Sequence, residues 1–310
     1  MTVFAYFGPA GTFTEMALNL LLERRAVEVD DQVSTVPANS PAAAIALVRS
    51  GEADYACVPI ESSLEGSVPA TMDALVPRDA EHRVQAYAEA TLDIAFSIAG
   101  REALPTDQVR TLAAYPVAAA QVRERIQQQF PHAEFVPASS NSGAAQDVSL
   151  GKADAAVTTP IATELYELVP IAENVADSPD AHTRFLLIGR AGRPTPRTGA
   201  DRTSVILDLS NRPGSLVAAM TEFASRGVDL TRIESRPRRQ GASGQYRFFL
   251  DAAGHLDDAA VGEALRALHR TAERVVFLGS WPVDRNNGAS PPVDHTESIN
   301  WFTELTEGGD

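Results

Sequence analysis

Residues 36–56 read VPANSPAAAIALVRSGEADYA, and residues 136–156 read VPASSNSGAAQDVSLGKADAA. Laid over one another without a gap, ten of the twenty-one positions are identical: Val36, Pro37, Ala38, Ser40, Ala44, Val48, Gly51, Ala53, Asp54 and Ala56 meet Val136, Pro137, Ala138, Ser140, Ala144, Val148, Gly151, Ala153, Asp154 and Ala156. Alanine is common in this chain, but the phased Val-Pro-Ala start and Gly-x-Ala-Asp end bracket the same strand, helix and strand twice. Ser40-Pro41 has the chemistry of a helix start, an N-cap followed by a proline in the first turn, and Gly51 suits a helix stop. A strand-helix-strand unit implies a parallel pair of strands. Two such units imply two similar α/β lobes with a cleft between them, and clefts bind small molecules. The alternative is one continuous sheet containing two look-alike units.

Working outward, further strand-like runs fall at 2–8, 84–98, 111–115 and 183–189, with helical runs between most of them, which is an α/β pattern. The long run 84–98 is expected to cross from the first lobe to the second, and 183–189 to return. Residues 191–202 are rich in proline and glycine and read as a linker. Beyond it the order is strand 204–210, helix 214–226, strands 230–236 and 246–251, a helix capped by Asp257, and strand 275–279. That βαββαβ order is ferredoxin-like. The domains expected are therefore 1–190, a linker 191–202, 203–282, and a polar tail 283–310. The tail ends in a short amphipathic stretch with Ile299, Phe302 and Leu305, which either docks or frays.

The net charge of −15 is uneven: −13 over residues 1–190, +3 over 191–282 and −5 over 283–310. The balance argues against nucleic acid as a partner. It also requires local groups to overcome the surrounding field if the ligand is an anion. No apolar run is long enough for a membrane span, and residues 1–8 read as a first strand, not as a signal peptide. Cys57 is the single cysteine, so no internal disulfide forms, and a cytoplasmic setting is the default. Its strand context reads as a buried core thiol. No His/Cys/Asp/Glu group has metal-ligand spacing, so neither metal nor cofactor is expected.

Several segments suit ligand chemistry. Gly8-Pro9-Ala10-Gly11-Thr12-Phe13-Thr14-Glu15 follows a strand and opens a helix, with Thr12 and Glu15 at capping-box spacing. It lacks the Gly-Lys-Ser/Thr of a phosphate loop, yet its free N–H groups suit an anion. Val58–Ser67 leaves a strand at its carboxyl end, where open α/β sheets bind ligands. Thr183-Arg184-Phe185 opens a strand with a hydroxyl and a cation, either a surface pair or a pair facing the cleft. Asn211-Arg212-Pro213-Gly214-Ser215-Leu216-Val217 turns from strand into helix, where N–H groups suit a carboxylate. Glu234-Ser235-Arg236-Pro237 ends a strand and reads equally as a charge-protected edge.

In this order, these segments resemble the monofunctional prephenate dehydratase family over nearly all of residues 3–282. The resemblance implies a catalytic part like a type 2 periplasmic-binding fold, in agreement with the repeat, and a C-terminal ACT module binding L-phenylalanine as feedback inhibitor. It implies loss of water and carbon dioxide from prephenate in phenylalanine biosynthesis, with Thr183 as the key hydroxyl donor and Arg184 either holding a carboxylate or bracing the loop. Gly11, Thr12, Ser62 and Ser63 are implied as substrate contacts. So are Gln121, which follows Tyr115-Pro116, and Asn141 and Ser142, at a helix start suited to the pyruvyl carboxylate. Asn211, Gly214, Ser215, Leu216, Glu234, Ser235 and Arg236 are implied for the effector, at a site that needs a homodimer or homotetramer. Two departures stand out. The family usually has Glu-Asn-Ser where this chain has Glu61-Ser62-Ser63, and some members carry serine where it has Ala114. Two rivals follow: an arogenate dehydratase, and a non-catalytic amino-acid sensor.

Overall fold

The computed structural model describes residues 1–77, 82–238, 245–285 and 289–307. The first half runs β1 (Thr2–Phe7), α1 (Phe13–Glu23), β2 (Val33–Ala38), α2 (Pro41–Ser50), β3 (Tyr55–Ser62), β4 (Gly66–Ser67), α3 (Pro69–Leu75) and β5 (Val84–Asp93). It continues β6 (Phe96–Gly100), β7 (Thr111–Ala114), α4 (Pro116–Gln121), α5 (Arg123–Gln129), β8 (Glu134–Pro137), α6 (Asn141–Ser149), β9 (Ala155–Thr158), α7 (Pro160–Leu165), β10 (Val169–Val175) and β11 (His182–Arg190). One sheet has the order β2-β1-β3-β11-β5, with β4 on β3, and a second has β8-β7-β9-β6-β10. These are two sheets with matching orders, so the single continuous sheet is excluded. The expected run 84–98 is two strands, one in each sheet, parted at Ile94-Ala95.

The repeat occupies equivalent places in the two lobes, β2-α2-β3 and β8-α6-β9, and its identities are structural. Ser40 Oγ accepts from Ala43 N at 3.1 Å and Ser140 Oγ from Gly143 N at 2.9 Å, so both serines cap their helices. Ala44, Val48, Ala144 and Val148 are fully buried. Gly51 and Gly151 have φ of +81° and +75°, and the chain leaves both helices through the left-handed region that glycine adopts without strain. Asp54 Oδ2 accepts from Val3 N at 2.9 Å, and Asp154 Oδ2 from Arg110 N and Thr111 N, each at 2.9 Å. Each aspartate therefore anchors the start of the strand next to its lobe's edge strand, β1 in one sheet and β7 in the other. Pro37 and Pro137 lie on the edge strands β2 and β8, where a missing N–H is tolerated. β10 was not legible, because Pro170 and three other exposed residues hide its pattern.

By compactness the chain divides into Met1–Ala74 with Ala90–Ile188, and Leu75–Glu89 with Gly189–Asp310. The division does not follow chain order. Residues 75–89 pack within the second unit: Trp281 Nε1 donates to Glu89 Oε2 at 3.0 Å, and a Cβ at Gly279 would lie 2.3 Å from the Ala86 carbonyl oxygen. The stretch 191–200 is tied down as well. Thr195 Oγ1 donates to the Ser280 carbonyl, and the Asp201 carboxylate accepts from Thr198 N, Thr198 Oγ1 and Gly199 N.

The second unit contains β12 (Asp201–Asp208), α8 (Ser215–Ala224), β13 (Leu230–Pro237), β14 (Tyr246–Ala253), α9 (Ala259–Thr271) and β15 (Arg274–Pro282), in an antiparallel sheet of order β13-β14-β12-β15. This is the ferredoxin-like arrangement, with Phe223, Leu250, Val261 and Leu268 in its core. Asp258, not Asp257, precedes α9, and its Oδ2 accepts from His255 N at 2.7 Å. Buried charges run through the sheet. Arg232 pairs with Asp251 at 2.9 Å, and Arg202 reaches Asp251 at 3.8 Å and Glu89 at 3.1 Å. In the tail, Pro292 lies against Gly254 and Val293 against Gly227. The helix α10 (Thr296–Thr306) buries none of its residues and exposes Ile299, Phe302 and Leu305. Among the described residues, no helix is long and apolar enough to cross a membrane.

Candidate active site

A cleft of about 510 Å³ lies between the two lobes of the first unit. Parallel strands from both sheets end on it. β1 delivers Gly8 and Pro9, β2 Asn39, β3 Ser62, β7 Tyr115, and β8 Ser139, Ser140 and Asn141. β11 enters from the opposite direction and contributes Thr183 and Phe185. The starts of α1, α4 and α6 therefore border the cavity, and helix starts carry partial positive charge. Among the described residues, no lysine, arginine or histidine lines it, and Glu65 is the one carboxylate that does.

The loop after β1 is held on both sides. Glu15 Oε2 accepts from Gly11 N at 2.6 Å, and its Oε1 accepts from the Tyr6 hydroxyl at 3.2 Å. Thr12 Oγ1 accepts from Glu15 N at 3.4 Å, so the expected capping box forms with its return bond moved to Gly11. Burial first, and the Glu15 charge second, push the Tyr6 phenol well above its usual range. From the other lobe, Ser142 Oγ donates to the Ala10 carbonyl, and Thr159 Oγ1 donates to the Gly11 carbonyl at 2.7 Å. Gly11 has φ of +81°, and a Cβ there would lie 2.7 Å from Ser142 Oγ. Among the described residues, this is the one point where the two lobes need a glycine to approach.

The sequence-derived site residues separate by position. Thr12, Ser62, Gln121, Asn141 and Thr183 line the cleft together. Gly11, Ser63, Ser142 and Arg184 do not. Gly11 and Ser142 form the inter-lobe staple. Arg184 is on the opposite face of β11 from Thr183 and Phe185, as strand alternation requires, and its Nη2 donates to Glu61 Oε2 at 2.9 Å. That contact is of the bracing kind, one of the two readings of Arg184. Ser62 Oγ accepts from Leu64 N and Glu65 N at 3.3 and 3.4 Å. Gln121 Nε2 donates across the lobes to Glu65 Oε1 at 3.4 Å. Asn141 Oδ1 is buried without a partner, and the Thr183 hydroxyl has none among the described residues. Cys57 is fully buried, which pushes its thiol far above the usual range and leaves it inert.

Among the lining residues not expected from the sequence are two whose signal the repeat held. Asn39 and Ser139 occupy the single mismatched position in the otherwise identical Val-Pro-Ala-x-Ser starts. The flanking residues are identical because they build each lobe, whereas the position between them faces the cavity and differs.

In the second unit, Asn211 and Gly214 are exposed just before α8, with Gly214 at φ of +81° and Ser215 and Leu216 half-buried. Glu234, Ser235 and Arg236 lie on β13, an edge strand of the sheet.

Residues 4–193 match the family described as prephenate dehydratase, and residues 203–270 match the ACT domain. The chain belongs to the prephenate dehydratase family. A prephenate dehydratase from Mycolicibacterium vanbaalenii is 54% identical over 312 residues, which is 98% of each chain. The crystal structure of prephenate dehydratase from Arthrobacter aurescens in complex with L-Phe superposes with a TM-score of 0.84 at 34% identity, covering 99% of this chain and 100% of that one. A chain named GqqA, a novel type of quorum quenching acylase, superposes at 0.78 with 27% identity, covering 91% and 98%. Prephenate dehydratases are lyases, and this chain is an enzyme of that class.

Proposed function

We propose that the cleft converts prephenate to phenylpyruvate in L-phenylalanine biosynthesis, under feedback by L-phenylalanine at the ACT domain. The observation that carries this reading is the Thr183 hydroxyl, which among the described residues has no partner and lines a cleft with no cationic side chain, within a chain of this family. In the reaction, the bond from the ring to its carboxylate breaks and leaves its electron pair in the ring. The ring hydroxyl departs and takes a proton. Prephenate dianion and one proton become phenylpyruvate, carbon dioxide and water. Aromatisation drives both cleavages.

The residues fit that sequence. Negative charge grows on the departing oxygen, and Thr183 Oγ1 is the donor offered to it, so its hydrogen bond is strongest in the transition state. An arginine against the ring carboxylate would stabilise the ground state that must lose its charge, and none lines the cleft. The pyruvyl carboxylate is assigned to the start of α6 beside Asn141, where backbone N–H groups hold an anion without a basic side chain. Gln121 and Glu65 close the cleft mouth from opposite lobes.

The functional division is 1–190 catalytic, 191–202 linking, 203–282 regulatory and 283–310 tail, supported by the spans of the two family matches. The edge strand β13 supports assembly as a homodimer or homotetramer through the ACT domain, with Asn211, Gly214, Ser215 and Leu216 and the strand residues Glu234, Ser235 and Arg236 meeting the effector. A cytoplasmic setting belongs to the same reading, supported by the single, buried cysteine.

Arogenate dehydratase is the second reading. Glu65 favours it, as the one charged lining group and a fitting partner for the substrate ammonium that replaces the keto group. The deciding experiment follows phenylpyruvate or phenylalanine formation from prephenate and from arogenate, each with and without L-phenylalanine, and adds calorimetry with L-phenylalanine. The expected result is turnover of prephenate that L-phenylalanine lowers. Turnover of arogenate alone establishes the second reading, and turnover of neither leaves the sensor.

A further inference from the structure

Ser63 is outside the cleft, yet it forms two bonds to the residue next to Thr183. Its backbone N donates to the His182 carbonyl at 2.9 Å, and its Oγ accepts from His182 N at 2.9 Å. Both backbone groups of His182 are thereby fixed to a single residue just past the end of β3. On the other side of Thr183, Arg184 is fixed to Glu61. The threonine thus sits between two clamped neighbours, both held by the stretch Glu61–Ser63, while its own hydroxyl is left for substrate. A strand begins at His182, and strand starts fray when their first N–H has no ladder partner. Here the Ser63 hydroxyl takes the place of the missing strand carbonyl.

We infer that Ser63 is a positioning residue that sets the direction of the Thr183 hydroxyl through His182, and does not contact substrate. The inference rests on the prephenate dehydratase reading and adds to it a residue that acts through another. An error of about an ångström in a catalytic group lowers the rate by up to ~100-fold. Ser63 is exposed, so water takes over part of the lost bond, and a smaller effect is expected.

The test is steady-state kinetics with prephenate on the full chain, on Ser63→Ala, on Ser63→Thr, and on both Thr183→Ala and the double variant Ser63→Ala/Thr183→Ala. Ser63→Ala should lower kcat at least threefold with KM little changed, and Ser63→Thr, which keeps the hydroxyl acceptor, should restore it. Without the Thr183 hydroxyl nothing remains to aim, so Ser63→Ala should have no further effect in the Thr183→Ala background. A kcat change under threefold, a raised KM at unchanged kcat, or the same loss in both backgrounds overturns the inference while leaving the enzyme assignment intact. Ser63→Thr as slow as Ser63→Ala overturns it too. A wild-type chain that makes no phenylpyruvate overturns both.

Discussion

A threonine hydroxyl is a poor acid, and no basic side chain lines the cleft to make Thr183 a better one. Its contribution has to come from position. Thr183→Ala should lower kcat by about a hundredfold or more, the scale of one transition-state donor, and Thr183→Ser should keep much of the rate. An alanine variant that folds and turns over prephenate at the wild-type rate would remove Thr183 from the mechanism. Ser62 poses the opposite question, because the family resemblance implies asparagine there. Its Oγ accepts from two backbone N–H groups in a tight turn, and an asparagine carbonyl makes the same turn. Ser62→Asn should therefore keep the loop and at least the parental activity. A folded but inactive variant would mean that the site has been rebuilt around serine. At this scale Thr183 and Gln121 stood out through the family resemblance, since residue type alone left Thr183 as either a surface or a cleft hydroxyl. The sequence was silent on direction. Arg184 looked as suitable as Thr183 until strand alternation turned it away from the cleft, and nothing in the string Ser62-Ser63 tells which hydroxyl faces substrate.

Among the elements, the repeated strand-helix-strand unit was readable because its identities serve the same structural jobs in both lobes. The aspartates illustrate this. Burial alone would raise the Asp154 pKa, but the N–H groups of Arg110 and Thr111, the Thr111 side chain and the charge of Arg101 outweigh it and hold the carboxyl below the ordinary range. A depressed carboxyl contributes stability that is complete above its unfolded value, about pH 4, and is lost as pH falls through the lower folded value. Melting temperatures taken from pH 7 to pH 2.5 should therefore fall more steeply for the wild type than for Asp154→Asn below pH 4, and the variant should start lower at pH 7. Parallel curves would deny Asp154 its anchoring role. β10 illustrates the converse, since an edge strand with a proline and several exposed residues carries no readable period. Gly214 changes how the regulatory segment is best probed. Its φ of +81° strains any side chain, although the space around it is open, so valine there would report backbone strain before any crowding of a ligand.

At the scale of the molecule, the sequence divided the chain in order, at the proline-rich stretch after residue 190. The compact units interleave instead, and no composition shift marks that residues 75–89 belong with 189–310. A short apolar strand looks the same whichever core it enters. The difference matters for truncation. A fragment ending at residue 202 keeps Glu89 but loses Trp281, its buried hydrogen-bond partner, and β15 with Gly279, which packs on Ala86. Glu89 keeps Arg202, the fragment's last residue, but leaving one bond of a buried carboxylate unmade costs about 1–3 kcal/mol, and the packing of Gly279 on Ala86 is lost with it. The 1–202 fragment should consequently be recovered largely insoluble, or melt well below the full chain. A soluble fragment with the full chain's melting temperature would show that segment 75–89 holds itself together.

A dianion approaching a chain of net charge −15 is repelled from outside, and among the described residues no cationic side chain lines the cleft to draw it in. Helix starts hold a carboxylate only after it arrives, because their partial charges act within about one turn. Raising ionic strength from about 10 mM to about 150 mM shortens the screening length from about 30 Å to about 8 Å. The encounter should then become easier, with kcat/KM for prephenate rising roughly twofold or more and kcat unchanged. Initial rates across a sodium chloride series read this directly, and a kcat/KM that falls with salt would reveal an attractive path into the cleft. Enzymes that gather anions with arginine lose speed as salt rises. This one should gain it, and its capture of scarce substrate would then follow the salinity of its surroundings.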